Sequence, residues 1–249
     1  MGTSTPSVRA RGARRRPPHI EDAPLGLPLF ILNLKSYPSA LGLNAERIGA
    51  ALESQARESR VSVALAPAPG DVGRLARTLQ IPVIAQHVDP LDAGARTGYF
   101  VPEAVRILGA QGSLLNHSEH RLPAAAVARG ASMLRSLDLA AVVCARDASE
   151  AARLARIHPP YLAVEPPELI GTGRSVSRVR PEVIRTTVRR VRAVSPETHV
   201  LCGAGVVNRE DVRKALELEA EGILVASAVT LAADPAQAIR ELLSGFHPD

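Results

Sequence analysis

Three ionisable residues stand where apolar runs end, and each offers a different chemistry. Glu165 closes the run YLAVEPP (161–167) and is followed by Pro166 and Pro167. A carboxylate in a dry pocket has its pKa raised and suits a general base near neutral pH. The competing reading is a structural acid paired with an arginine; the run-end position and the stiff Pro-Pro exit favour the base. His117 lies in GSLLNHS (112–118) and is followed by Ser118-Glu119-His120, which reads as a helix start. Backbone N–H dipoles there disfavour imidazolium, so a lowered pKa and a neutral, hydrogen-bond-donating ring are expected. Read alone, such a histidine is a satisfied polar group. Lys35 ends LFILNLK (29–35) and is one of only two lysines in the chain. It is either a solvated surface charge or an ammonium that stabilises a developing enediolate and a phosphate dianion.

Small residues supply the complementary signal. Gly203-Ala204-Gly205 and Ala226-Ser227 follow two further apolar runs. They offer backbone N–H groups to a phosphate, or else close packing. The segment PPELIGTG (166–173) begins with stiffening prolines and ends with Gly171 and Gly173, which permit unusual backbone conformations. Its ELI places two apolar residues beside an acid and reads as exposed, so the segment is expected to be a lid with short hinges. Asn33, Gln86, His87 and Asn116 are the remaining polar residues at run ends.

Eight apolar runs carry these residues: 29–35, 61–67, 82–88, 112–118, 139–145, 161–167, 198–204 and 221–227. They are apolar throughout rather than alternating, as strands buried on both faces of a parallel sheet are. Helical stretches are expected at 44–59, 71–79, 102–109, 123–137, 147–157, 181–194, 209–219 and 235–244. Asn44, Asp71 and Asp147 suit N-caps, and Pro102, Pro123, Pro181 and Pro235 suit first helical positions. Eight β–α units in one α/β domain predict a (β/α)8 barrel. An open doubly wound sheet is the alternative, but the first turn, NLKSYPSALGLN, lacks G-x-G-x-x-G. A barrel places chemistry at the C-terminal ends of its strands, where all the residues above fall.

Composition narrows the classes. The 249 residues are 46% hydrophobic and 2% aromatic, with no Trp and a net charge of +5. Base-stacking nucleic-acid modules need aromatics, and a membrane span needs an apolar run of roughly 18 residues. Neither is present, so no nucleic acid and no membrane are expected as partners. Residues 1–19 hold five arginines and no acid; without them 25 basic residues face 25 acidic ones. The excess charge therefore belongs to a tail. Residues 1–26 read as a disordered Arg/Pro-rich extension or too early a translation start, with a transit peptide or polyanion-binding arm as the sharper readings. Residues 27–249 form the folded domain. Cys144 and Cys202 are too few for a disulfide framework or a metal site and read as buried free thiols in a reducing compartment.

The strings NLKSY (33–37), AQHVDP (85–90), TGYFVPEAV (97–105), LLNHSEHR (114–121), AVEPPELIGTG (163–173), VLCGAGV (200–206) and VASAVT (225–230) closely resemble the triosephosphate isomerase family in its short, archaeal-type form. The resemblance covers the body but not the tail. It implies a TIM barrel and a cytoplasmic isomerase of glycolysis and gluconeogenesis. That enzyme interconverts dihydroxyacetone phosphate and D-glyceraldehyde 3-phosphate through an enediolate, without metal or cofactor. By position it implies Glu165 as base, His117 as neutral electrophile and Lys35 as cation. It further implies substrate contacts from Asn33, Ile170, Gly171, Gly205, Ala226 and Ser227. Thr97 matches a threonine that reaches into a neighbouring subunit, implying a homodimer or homotetramer with a small sugar phosphate as substrate. His120 and Ala226-Ser227 depart from the long form. The arginines flanking the lid (Arg174, Arg178, Arg180) keep a four-carbon sugar phosphate open as substrate. Unrelated phosphate-ester chemistry and a non-catalytic phosphate-binding paralogue are the readings in other classes.

Overall fold

The computed structural model describes residues 24–169, 171, 173 and 175–247. The expected extension lies outside the described residues as far as residue 23, and so does Ile170. Seven parallel strands form the sheet: β1 (Leu29–Asn33), β2 (Ser62–Ala66), β3 (Gly112–Leu115), β4 (Ala140–Ala145), β5 (Tyr161–Val164), β6 (His199–Gly203) and β7 (Gly222–Val225). Their order is β2-β1-β7-β6-β5-β4-β3. The expected eighth run is present as a two-residue stave, in which Val83 pairs with Leu65 and Ala85 with Ser113. Ile84 N donates to Leu65 O at 2.8 Å, and Ala85 N to Gly112 O at 2.8 Å, closing the ring. Pro82 has no N–H with which to lengthen this stave.

Both faces of each strand are buried, which accounts for the uninterrupted apolar runs. Leu29 and Ile31 of β1 point inward with Ile84, Leu114, Val142 and Leu201. Phe30 and Leu32 point outward against the helices. Leu25, placed by sequence in the extension, joins the interior cluster at the barrel floor. Its N–H donates to the Tyr161 hydroxyl at 2.8 Å. Burial pushes the Tyr161 pKa up to about 12.

The outer layer comprises α1 (Leu43–Ser59), α2 (Pro69–Thr78), α3 (Pro102–Ile107), α4 (Ala124–Ser136), α5 (Ala148–Leu154), α6 (Val176–Val179), α7 (Pro181–Arg192), α8 (Arg209–Glu217), α9 (Ser227–Thr230) and α10 (Pro235–Ser244). On α7, Ile184, Thr187, Val188 and Val191 are buried along one face. Asp147 caps α5 as expected, through Ser149 N and Glu150 N. Asn44 instead lies inside α1, and Asp71 inside α2. The Asp71 carboxylate accepts Gly42 N–H at 2.8 Å, serving the start of the neighbouring helix rather than its own. Pro123 is the N-cap of α4 rather than its first residue. Among the described residues, no helix is long and apolar enough to cross a membrane.

Candidate active site

β5 ends at Val164, and Glu165 N still donates to Ala145 O of β4 at 2.7 Å. Pro166, without an N–H, stops the ladder there and leaves the Glu165 side chain at the mouth. That side chain is 8% exposed. Its Oε2 is buried, lies 3.4 Å from His117 Nε2 and has no well-aligned hydrogen bond among the described residues. A buried carboxylate oxygen without a hydrogen-bond partner is costly for the fold and open to a substrate proton.

Gly203 explains how the carboxylate fits. A Cβ there would stand 2.5 Å from Glu165 Cγ and 3.0 Å from its Oε1. The sequence reading offered Gly203 as a phosphate contact or close packing; its bare Cα makes room for the acid. Cys144 also meets Glu165 from the strand below. Burial, with Glu165's charge and hydrogen bond, holds that thiol well above its usual pKa. It stays an S–H group.

Residues 117–120 form a turn, with His120 N donating to His117 O at 2.9 Å, and the next helix begins only at Ala124. The expected helix start at His117 is therefore absent. A single amide takes its place, as Glu119 N donates to His117 Nδ1 at 3.2 Å. With Nδ1 accepting, the one proton of a neutral ring is on Nε2, facing Glu165. The expected lowering of the pKa is also corrected. Burial lowers it, but the neighbouring Glu165 carboxylate 3.4 Å away, with Glu119 behind it, outweighs burial and Lys35 and raises it.

Lys35 takes a left-handed backbone (φ 51°) directly after β1. Its N–H donates to Asn33 Oδ1 at 3.0 Å, and its ammonium donates to Glu119 Oε1 at 2.7 Å. Glu119, not singled out from sequence, thus touches both other groups of the site. Its position two residues after His117 was the available signal.

The opposite wall is backbone. Ala204 and Gly205 both have left-handed φ (70° and 71°), and Ala226-Ser227 lead into α9, whose first amides lack intrahelical partners. One cavity is lined by Asn33, Lys35, His117, Glu165, Gly171, Gly205, Ala226 and Ser227, the described catalytic and substrate-contact residues that the resemblance implies, whereas Gln86, His87, Asn116 and Gly203 do not line it. Among the described residues no group of three His, Cys, Asp or Glu could hold a metal ion.

The segment over this cavity differs from expectation in one respect. Leu169 is buried, 4% exposed, within a 3₁₀ turn at Pro167–Leu169. Gly171 and Gly173 have φ of 72° and 70°, in the region that disfavours residues with a Cβ. Val176 N donates to Ala204 O at 3.3 Å, joining the far limb to the glycine wall. Two of the flanking arginines are engaged elsewhere: Arg178 Nε lies 2.6 Å from Asp211 Oδ1, and Arg180 pairs with Glu168, while Arg174 lies outside the described residues.

Comparison with known proteins agrees with this geometry. The triosephosphate isomerase family profile matches residues 28–242. Curated proteins named triosephosphate isomerase align over most of the chain. That of Methanothermus fervidus is 42% identical over 217 residues, covering 87% of this chain and 98% of that protein. That of Methanoculleus marisnigri is 44% identical over 217 residues, with the same coverages of 87% and 98%. That of Cenarchaeum symbiosum is 47% identical over 215 residues, covering 86% and 96%.

Proposed function

Because the chain belongs to the triosephosphate isomerase family, we propose that Glu165, His117 and Lys35 carry out its reaction. The chain is an isomerase that interconverts dihydroxyacetone phosphate and D-glyceraldehyde 3-phosphate. Glu165 takes a proton from the carbon beside the carbonyl and returns it to the neighbouring carbon, with an enediolate between. His117 donates Nε2–H to the substrate oxygens. Once Glu165 holds the substrate proton, its charge no longer raises the His117 pKa, while burial and Lys35 still lower it.

Lys35 supplies positive charge to the enediolate and the phosphate, and Asn33 contacts the substrate. Amides at Gly171, Gly205 and Ser227, with Ile170 and Ala226, hold the phosphate. The segment 166–173 closes over the site and excludes water, which would otherwise promote phosphate loss from the enediolate. Neither metal nor cofactor enters this scheme. Arg178 and Arg180, engaged with Asp211 and Glu168, are not read as contacts for a larger sugar.

The observation that carries the assignment is the unpaired Glu165 Oε2, 3.4 Å from His117 Nε2 in the cavity shared with Lys35. Glu165→Asp withdraws the carboxylate by about one methylene and is expected to lower kcat about 10²-fold with the thermal unfolding midpoint unchanged. Unchanged turnover in a coupled assay with the triose pair refutes the base assignment.

The isomerase body is read as residues 27–249, acting as a homodimer or homotetramer in the cytoplasm. Support for assembly comes from the exposed stretch around Thr97, where Tyr99 is 55% exposed. Support for a reducing compartment comes from two buried free cysteines.

A further inference from the structure

We propose that Gln86 is a positioning residue for this isomerisation, its side-chain amide holding the Lys35 backbone in the conformation that brings the ammonium into the site. The proposal rests on the reading of Lys35 given above. The ladder between β1 and β2 ends at the pair Asn33 and Ala66, and Leu34 N donates to Ala66 O at 2.9 Å just beyond it. Lys35 then turns left-handed (φ 51°), a region that non-glycine residues rarely occupy without outside support. Such a turn leaves both polar groups of its backbone off the ladder.

Side chains replace the lost ladder partners. The Lys35 N–H goes to Asn33 Oδ1 at 3.0 Å. The Lys35 carbonyl accepts Gln86 Nε2 at 2.9 Å, and the same nitrogen donates to Ala66 O at 3.0 Å. Both acceptors are carbonyls, so the amide nitrogen, not its oxygen, faces them. Gln86 directly follows the two-residue stave that closes the barrel beside β2, which places its donor over the end of the β1–β2 ladder. Glu119 restrains only the ammonium tip. Without the Gln86 donor, the Lys35 carbonyl has no hydrogen-bond partner among the described residues that fixes its direction, and the lysine turns away with its side chain chemically intact.

Gln86→Met keeps the side-chain length and removes the donor. The readouts are the KM for dihydroxyacetone phosphate and the Kd for inorganic phosphate by NMR titration, in the parent chain and in a Lys35→Met background. In the parent, both constants are expected to rise about tenfold, with kcat falling less. In the Lys35→Met background, the further loss of phosphate affinity is expected to be under about twofold, because the two changes remove one interaction. Gln86→Glu keeps the same shape but turns acceptors toward the two carbonyls; it is expected to repeat the result and stands in if Gln86→Met does not fold. Equal losses in both backgrounds indicate a merely structural glutamine and overturn the proposal, as does an unchanged Kd in the parent. Should Lys35→Met alone leave phosphate affinity and turnover unchanged, the reading of Lys35 falls and the proposal falls with it.

Discussion

At the mouth of the barrel, Lys35, Asn116 and Ala204 hold left-handed φ angles of 51°, 63° and 70° directly after β1, β3 and β6. At the floor, Arg60, Asp138 and Glu219 hold the same region (57°, 57° and 67°) just past the ends of α1, α4 and α8. The second set ends helices in the ordinary way, by freeing terminal carbonyls for capping. The first set has no such local cause and costs on the order of 1–3 kcal/mol per residue. Polarity divides likewise. The mouth buries Asn33, Asn116, His117 and a Glu165 oxygen without a bond, whereas the Tyr161 hydroxyl at the floor accepts Leu25 N–H. One set of strands therefore has an end shaped for chemistry and an end shaped for closure, and the second makes the strain of the first tolerable.

Substitutions at the two ends should separate these properties. Gly203→Ala pushes against the Glu165 side chain and is expected to lower kcat/KM about 10²-fold, some 2.7 kcal/mol of barrier, with little change in denaturant midpoint. A loss of stability without loss of turnover would break the contrast. Leu25→Ala at the floor is expected to cost about 2 kcal/mol in urea unfolding and leave kcat/KM unchanged. Tyr161→Phe is expected to cost about 1 kcal/mol at neutral pH. It also has a signature at high pH. The folded tyrosine ionises near 12, whereas the unfolded one ionises near about 10. The unfolded chain thus loses its proton first, and the parent should lose stability as pH rises from about 10 towards 12. The Phe variant should lack that slope, seen by following unfolding midpoints across the range.

Much of this plan was legible in the chain. The uninterrupted apolar runs revealed strands buried on both faces, and the polar residues ending them revealed the mouth. What stayed hidden depends on contacts between distant segments. The His117 ring has its pKa raised because Glu165, 48 positions later, arrives 3.4 Å away; local sequence suggested only a helix dipole. Gly203 reads equally as a phosphate contact or as close packing until the space needed by Glu165 Cγ is known. Asp71 looks like the cap of its own helix and serves α1 instead. Leu169 reads as exposed because nothing in PPELIGTG shows that its turn folds it inward. Arg178 and Arg180 suggest a wider substrate until Asp211 and Glu168 are placed beside them.

The two-residue stave at Val83 and Ala85 is the shortest stave of the barrel among the described residues. Gln86 stands directly after it, so joining the stave and setting the lysine become a single event. On the positioning role proposed above, a change that loosens this stave would reach the lysine through Gln86 while leaving the seven longer strands in register.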